Sequence, residues 1–487
     1  MEKNMQVILL ILFGFLLSCK QNLDILPMSQ GFTTTNATQI AVLVNKNTKY
    51  KYFVLDSDKL SLLNLKSKIF SNKEKKNFLK ITKSFSSAKI FVSKKITRSF
   101  SNKAIETLFI KGLNLKKTYN LLVLDQQKCK KNDDDCIKKC GNFCNILVDT
   151  REFKSLDINK KEVKMAVASC SAVYLQDIQK KIWPELLEKK PDVVLLIGDN
   201  VYVDRYIDGR LVSDKKSLWT RYVEMRKNLH IYKAKKLVPI FAVWDDHDYG
   251  INDGDYSFKF KKESKKVFQS FFSQKPMGLI FKKGPGVSFV IKAFGQRLFF
   301  MDNRFFRTPN VNDKKNRIKL KNVKYETHWG KLQERWLFTQ LQKSSTPSWI
   351  IDGGQIFGGY LPWESYEASH PYNFKKVLIP NIKKSKSAIA FISGDRHFFE
   401  FMKIPKKELG FKTYEITTSG LHTRLYPSLW TKYLNKRQVF GKTNFYNYAI
   451  IHSKLIKKSL KKGLSVHLES WGLGNKLAYK KSFTVFK

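Results

Sequence analysis

Four apolar runs in this chain break off into side chains that bind metal ions. VVLLIGDNVY ends on Asp199 and Tyr202, PIFAVWDDHD on Asp246 and His247, AIAFISGDRH on Asp395 and His397, and KMAVASC on Cys170. Carboxylate oxygens and imidazole nitrogens suit iron, zinc, manganese or calcium. One carboxylate can bridge two ions, and Asp199, in a tight Gly-Asp turn, is the candidate. A thiolate and a phenolate beside it, from Cys170 and Tyr202, favour a trivalent or strongly Lewis-acidic ion, because both protons must be lost on binding. Two ions clamped together lower the pKa of a water and neutralise a phosphoester during in-line attack. Arg304, in MDNRFFR, and Arg396, beside the ligands, carry forks that match non-bridging phosphate oxygens.

Continuous Val/Ile/Leu/Phe runs read as fully buried strands, and open α/β sheets carry their chemistry at strand carboxyl ends. From Val163 onward the chain alternates such strands with helices: KMAVASC, PDVVLLIG, VPIFAVW, RLFFMDN (Arg297–Asn303), SWIIDGG (Ser348–Gly354), AIAFISG and TYEITTSG. WPELLEKK begins a helix with Pro184 in its first turn, where the missing N–H is harmless. SLWTRYVEMRKNLHIYKAKK is a second helical stretch. In ETHWGKLQERWLFTQLQKS, Leu332, Trp336, Leu337 and Leu341 share one helical face. From Gln39 to about Asp149 short β-branched and aromatic runs with turns between them predict a small antiparallel β-sandwich. Its GLNLKKTYNLLVLD segment resembles a hairpin of fibronectin-like or immunoglobulin-like domains. The expected division is a signal peptide over 1–18, a polar linker over 20–38, a sandwich over 39–155 and a catalytic domain over 163–487.

At 487 residues the chain exceeds one ordinary core. Lys+Arg number 90 against 41 Asp+Glu, a net charge of +49. Such charge attracts acidic partners, but the lysines are spread along the sequence rather than clustered, which argues for solvated faces and against specific nucleic-acid binding. Val7–Leu17 is apolar and too short to span a bilayer. With Leu16-Leu17-Ser18-Cys19 after it, the segment resembles a bacterial lipoprotein signal cleaved ahead of a lipidated Cys19. A plain secretory signal or an uncleaved anchor is the alternative. The lipoprotein reading places the protein in the cell envelope, outside the cytoplasm, tethered to the bacterial membrane and expected as a monomer. Cys129, Cys136, Cys140 and Cys144 then form two disulfides; a structural zinc is the minority alternative. Cys170 is left without a partner.

Together, ASCS (Ala168–Ser171), GDNVYVD (Gly198–Asp204), WDDHDYG (Trp244–Gly250), MDNRFFR (Met301–Arg307), SGDRHFFE (Ser393–Glu400) and TSGLH (Thr418–His422) resemble the alkaline phosphatase D-type (PhoD-like) metallophosphatases, a branch of the calcineurin-like superfamily. The resemblance runs from Val163 to about Gly474. It implies a β-sandwich followed by a four-layer α/β/β/α domain whose metals lie between two sheets. It implies that Cys170, Asp199 and Tyr202 hold one metal, with Asp199 bridging, while Asp246, Asp395 and His397 serve the cluster; His247 joins the metal candidates by its residue type. Fe(III) and Ca(II) are the expected ions, zinc or manganese the substitutes. Asp199, Arg304 and His397 are the expected catalytic residues; Arg304, Arg396 and His422 the expected substrate contacts. Two departures stand out: Asp248 occupies a position where Glu is frequent, and Asn252 is the candidate for a downstream asparagine ligand.

Taken singly, an Asp at a strand end is more often a cap or turn residue, Cys170 a small buried hydrophobe and Tyr202 a packing residue. His422 could pack under a sheet and Arg304 could pair with Asp302. His230, His328, His370, His452 and His467 read as structural. The leading function is a metal-dependent phosphoesterase acting on mono- or diesters; the alternative is a catalytically degenerate lipoprotein that binds acidic envelope polymers. The substrate rim is expected in the loops Val311–Lys324 and Phe357–Tyr372.

Overall fold

The computed structural model describes residues 25–60, 69–70, 90–98, 100–128, 143–207, 210–321, 323–359, 364–426 and 435–487. The expected signal peptide, the lipidation candidate Cys19 and the disulfide candidates Cys129, Cys136 and Cys140 lie outside them, as does the side chain of Cys144. No helix among the described residues is long and apolar enough to cross a membrane.

Alternating apolar residues build two antiparallel four-stranded sheets at the N-terminal end. One orders β1 (Met28–Thr33), β2 (Ala37–Asn45), β6 (Lys103–Lys111) and β5 (Phe91–Arg98); the other orders β3 (Tyr50–Asp56), β7 (Thr118–Lys128), β8 (Phe143–Lys154) and β4 (Ile69–Phe70). Ile40, Val42 and Val44 of β2 meet Leu121 and Val123 of β7 in one core, the packing of a sandwich. The Tyr119 hydroxyl accepts a hydrogen bond from the Asn114 amide at 2.7 Å and closes the corner into β7.

The expected linker over 20–38 is corrected: its second half is the edge strand β1, buried throughout. Its polar composition hid this, because Gln30, Thr33 and Thr38 bond to one another inside the fold, while Ser29 Oγ and Gln30 Oε1 stay unpaired. Gln30 Nε2 donates to the Lys154 carbonyl at 2.7 Å and to Thr38 Oγ1 at 3.2 Å, and the Thr33 and Thr38 hydroxyls lie 2.7 Å apart.

The remainder holds two large mixed sheets. The six-stranded one orders β13 (Ile240–Val243), β10 (Val193–Ile197), β9 (Glu162–Ala168), β22 (Asn447–Lys458), β23 (Lys461–Gly472) and β24 (Lys476–Val485). Its first three strands are parallel and the rest antiparallel. The eight-stranded one orders β14 (Phe281–Lys283), β15 (Phe289–Ala293), β16 (Gln296–Phe300), β17 (Ser348–Ile351), β18 (Ile389–Ser393), β20 (Thr413–Thr418), β19 (Phe399–Ile404) and β21 (Gln438–Lys442), with β16 to β20 parallel in the middle. A small hairpin, β11 (Arg205–Ile207) and β12 (Arg210–Val212), stands apart.

Helices among the described residues include α1 (Gln176–Glu188), α2 (Lys215–Asn228), the single turn α3 (Asp246–Tyr249), α4 (Lys261–Phe272), α5 (Lys331–Lys343) and α6 (Ile379–Lys384). Alternation along β10 shows why its sequence is apolar throughout. Val194 and Leu196 pack on Trp183 of α1, Trp219 of α2 and Phe268 of α4. Val193, Leu195 and Ile197 join a second cluster that includes Phe300, Ile351 and Ile392 of the other sheet and continues to Leu337 and Leu341 of α5. Strands buried on both faces have no polar side to show.

Two helix expectations are corrected. Pro184 lies inside α1, which starts eight residues earlier at Gln176; burial of Ile182, Trp183 and Leu186 carries the helix through the lost backbone bond. Leu332 is exposed rather than facing the core. The first turn of α5 instead buries Gln333, whose side chain accepts from the Asp302 amide and donates to the Asp302 and Trp329 carbonyls.

Candidate metal centre

The parallel strands of both sheets end against each other. Glycine permits the approach: a Cβ on Gly198 would lie 2.7 Å from the Asp245 Cβ, and one on Gly394 would lie 2.7 Å from both the Gly353 and Ile197 carbonyls. Just past these ends sit Cys170 after β9, Asp199 and Tyr202 after β10, Asp246 and His247 after β13, and Asp395 and His397 after β18. Ligand atoms of Cys170, Asp199 and His397 all lie within 4.8 Å of one another, as do those of Asp199, Asp246 and His247. Asp199 belongs to both groups. Its Oδ2 is 3.6 Å from the Cys170 sulfur and 3.4 Å from the Tyr202 hydroxyl. A third group, Asp246, Asp253 and Glu364, brings its ligand atoms equally close, within 4.8 Å of one another. Asp199, Asp246, His247, Asp395 and His397 open into one cavity of about 590 Å³.

The local backbone is strained where the donors are. Cys170, Asp199, Asp253, Asp395 and His397 all adopt left-handed φ, between 50° and 71°. Such residues cost free energy and persist only where surrounding structure enforces them. Two donor atoms also remain without a protein partner: Asp199 Oδ1 and His397 Nδ1 are buried and unbonded. Buried polar atoms ordinarily find partners. This donor set, one thiol, one phenol, imidazoles and several carboxylates with orphaned atoms, fits two or more metal cations.

Electrostatics points the same way. Burial, then the neighbouring Cys170, pushes the Asp199 carboxyl well above the usual range. Burial, then Asp245 and Glu364, does the same to Asp395. Burial raises the Cys170 thiol to about 12 and holds Tyr202 well above an ordinary phenol. Without cations these acids resist ionisation; a bound cation is what makes their charge tolerable. His247 loses by burial but gains more from Asp246, Asp199 and Asp204, so its imidazolium is favoured.

These directions give a sign for stability against pH. Groups with raised folded-state pKa, here Asp199, Asp395, His247 and Asp248 (raised by burial to about 8), bind more protons folded than unfolded. Their contribution is complete below the unfolded pKa and lost as pH rises. His397 and His422, lowered by burial to about 4, act oppositely, but only below their unfolded value of 6.5. Chelator-treated protein should therefore lose stability between pH 6.5 and about 8. Asp248 alone should bring the slope to roughly 1.4 kcal/mol per pH unit there. Urea unfolding at several pH values measures it, and a flat or rising midpoint in that interval rejects the assignment.

Several expected contacts are placed differently. Arg304, expected as catalytic and on the phosphate, is fully buried behind the cavity. Its Nε donates to Asp245, its Nη1 lies 3.0 Å from Glu364, and its Nη2 lies 3.8 Å from Asp246. It is not paired with the Asp302 carboxylate, which instead receives the Arg304 backbone amide at 3.1 Å. His422, expected on the substrate, does not line the cavity; it is fully buried, with Nδ1 donating to the Ala172 carbonyl at 2.9 Å and its ring in a T-shaped contact with Trp183 at 5.7 Å. Arg396 does line the cavity and donates to the Glu364 carbonyl at 2.9 Å. Asn252 reaches the rim, where its amide donates to Asp253 at 2.7 Å.

Sequence reasoning missed Asp253, Glu364 and Asp204. Glu364 follows no strand and carries no motif, although it falls inside the loop read as substrate rim. Asp204 accepts from the His247 Nδ1 at 2.8 Å and fixes that ring, which packs on Tyr202; its place in GDNVYVD was the available signal. His328 also proves less isolated than expected: Arg307 donates to its Nδ1 at 2.9 Å, and its Nε2 donates to Asp352 at 3.1 Å.

Comparison with known proteins agrees with the geometry. No curated protein sequence matches the chain. Among solved structures, the structure of PhoD is similar, with 14% identity, a TM-score of 0.57 and coverage of 94% of this chain and 91% of that one. The purple acid phosphatase PPD1 from yellow lupin (Lupinus luteus) seeds is similar at 11% identity and a TM-score of 0.56, over 94% of this chain and 73% of that one. At such identities these likenesses speak for the fold, a mixed α/β architecture with several sheets. The family model described as PhoD-like phosphatase matches residues 165–429, more than half the chain and the whole span of the donor residues. The chain is a member of the PhoD-like phosphatase family, a metal-dependent hydrolase of phosphoric esters.

Proposed function

We propose that the chain hydrolyses phosphate mono- or diesters in this cavity, as a lipid-tethered enzyme of the bacterial envelope. The observation that carries the reading is Asp199, whose carboxylate is shared by two donor groups at the joint ends of both sheets. Cys170, Asp199, Tyr202 and His397 would hold the more Lewis-acidic ion, for which Fe(III) fits thiolate and phenolate best. Asp199, Asp246 and His247 would hold a second ion, and the oxygen donors Asp246, Asp253 and Glu364 suit Ca(II), with zinc or manganese as substitutes. When bound, the ions supply Lewis acidity toward a water and the phosphoryl oxygens. The packing of α1, α2 and α4 on one sheet and α5 on the other supports the four-layer α/β/β/α arrangement.

The chain's own residues account for the rest. Arg396 presents its guanidinium to the cavity and orients a phosphoryl oxygen. Lys314 and Lys315 stand on the rim and draw the anionic ester inward. Phe398 and Tyr426 give an apolar wall, with Tyr426 stacked on the His397 ring at 5.1 Å. Arg304 acts from behind, by fixing Asp245, Asp246 and Glu364. One preparation tests the whole reading: protein extracted from membranes with detergent. The expected results are an intact mass for an acylated chain beginning at Cys19, two or more metal equivalents, and hydrolysis of p-nitrophenyl phosphate or its bis-ester. Absence of metal and of turnover after adding iron, calcium, zinc or manganese rejects the enzyme; an unacylated mass rejects only the tether.

A further inference from the structure

Four lysines close in sequence are set face to face by the fold at one hairpin tip. Strands β22 and β23 meet in a two-residue turn, Ser459-Leu460, and their register sets Lys457 opposite Lys462 and Lys458 opposite Lys461. All four are exposed, and no ion pair to any of them occurs among the described residues. Like charges directly opposite across an antiparallel ladder are destabilising. Here two such pairs are stacked in succession. The turn is unfavourable too: two-residue hairpins prefer Asn or Gly where φ is positive, yet Ser459 takes φ 50° there. Leu460 beside it is fully exposed, at 102% of its reference area, and packs on nothing. Local choices that oppose the fold without compensation mark places kept for another purpose.

We infer that this hairpin tip docks on a bilayer bearing anionic phospholipid, with Leu460 entering the headgroup region and Lys457, Lys458, Lys461 and Lys462 meeting lipid phosphates. Lysine around a projecting leucine is the chemistry of an interfacial membrane contact. Nucleic acid would instead call for arginine forks or stacking aromatics, and the tip has neither. The position matters for function. Strand β22 runs antiparallel to β9, with Ala449 opposite Val167 and Lys454 opposite Glu162. The tip therefore projects beyond the start of β9, whereas the metal donors follow its end. Ten residues of strand separate the two levels, roughly 30 Å. Docking through the tip leaves the cavity at the far end of the sheet from the bilayer.

The test is co-flotation of the full chain with vesicles of phosphatidylcholine alone and of phosphatidylcholine with phosphatidylglycerol. Any attachment through the N-terminal end acts in both, so the readout is the preference for the anionic vesicles. The K457Q/K458Q/K461Q/K462Q variant should lower that preference at least about tenfold, and Leu460→Asp should lower it with all four lysines in place. Hydrolysis of a small soluble phosphoester should stay unchanged in both variants, which shows that they fold. An unchanged preference in the lysine variant overturns the inference. So does a loss seen only in the lysine variant, with heparin or duplex DNA competing fully: that result would make the tip a polyanion site.

Discussion

Asp199→Asn should abolish most phosphoester hydrolysis and release metal from both donor groups that share this carboxylate. Altering even an outer partner of a metal ligand typically costs about 10–100-fold in affinity or activity. Loss of a carboxylate common to two groups should exceed that, because the Cys170–His397 side and the Asp246–His247 side both lose a donor. Cys170→Ser provides the contrast, since Cys170 belongs to one group alone. The expected pattern is two metal equivalents lost in the first variant and one in the second. Elemental analysis and kcat/KM on a soluble ester read both. The metal-free D199N chain should also be at least as stable as its metal-free parent near neutral pH, because Asn removes a buried acid whose ionisation burial opposes. Activity within about threefold of the parent, less than the usual effect of even an outer partner, would remove Asp199 from the centre of the site.

Arg304→Met is the second large effect, and it should appear in stability rather than in substrate affinity. Arg304 is wholly buried and sits among Asp245, Asp246 and Glu364. Burial opposes its charge, but Asp245, Glu364 and Asp246 more than restore it. In return, Arg304 with Arg307 holds the Glu364 carboxyl below the ordinary range against the effect of burial. Methionine fills comparable space but leaves the carboxylates uncompensated. Removing one partner of a buried ion pair costs about 3–5 kcal/mol. Urea unfolding of the metal-free chain should show that loss, because no bound cation can then take over the role of the guanidinium. A phosphate-binding arginine would behave oppositely, raising KM at unchanged stability, and that outcome would return Arg304 to the substrate.

Why the donors were legible and their supports were not is a matter of distance along the chain. Asp199, Asp246, Asp395 and Cys170 each follow a strand whose apolar run announces it, so strand ends and ligand chemistry coincide in the sequence. Arg304 looked equally chemical, since MDNRFFR also follows a strand, and nothing local reveals that Asp245 and Glu364 enclose it. Glu364 has no periodic neighbour to mark it. His422 sits in a motif, yet only the packing of α1 shows that Trp183 covers its ring. The strand β1 failed for a related reason: Gln30, Thr33 and Thr38 bond to one another, so a buried strand reads as a polar tether. The lysines of the β22–β23 tip also stand within six residues of each other, but their face-to-face pairing exists only once the register is known.

That first strand has a further consequence. Phe32, at its end, stacks on Phe281 at 4.1 Å and belongs to the same core as β9, β10 and β16. A Cβ on Gly31 would come within 2.5 Å of the Ser273 carbonyl, and Gln39 exchanges amide hydrogen bonds with the backbone of Lys275. The N-terminal sheets are thus mortised into the hydrolase rather than strung beside it. Swapping them for a foreign module, or grafting the hydrolase elsewhere without them, would uncover the aromatic floor on which the catalytic strands rest.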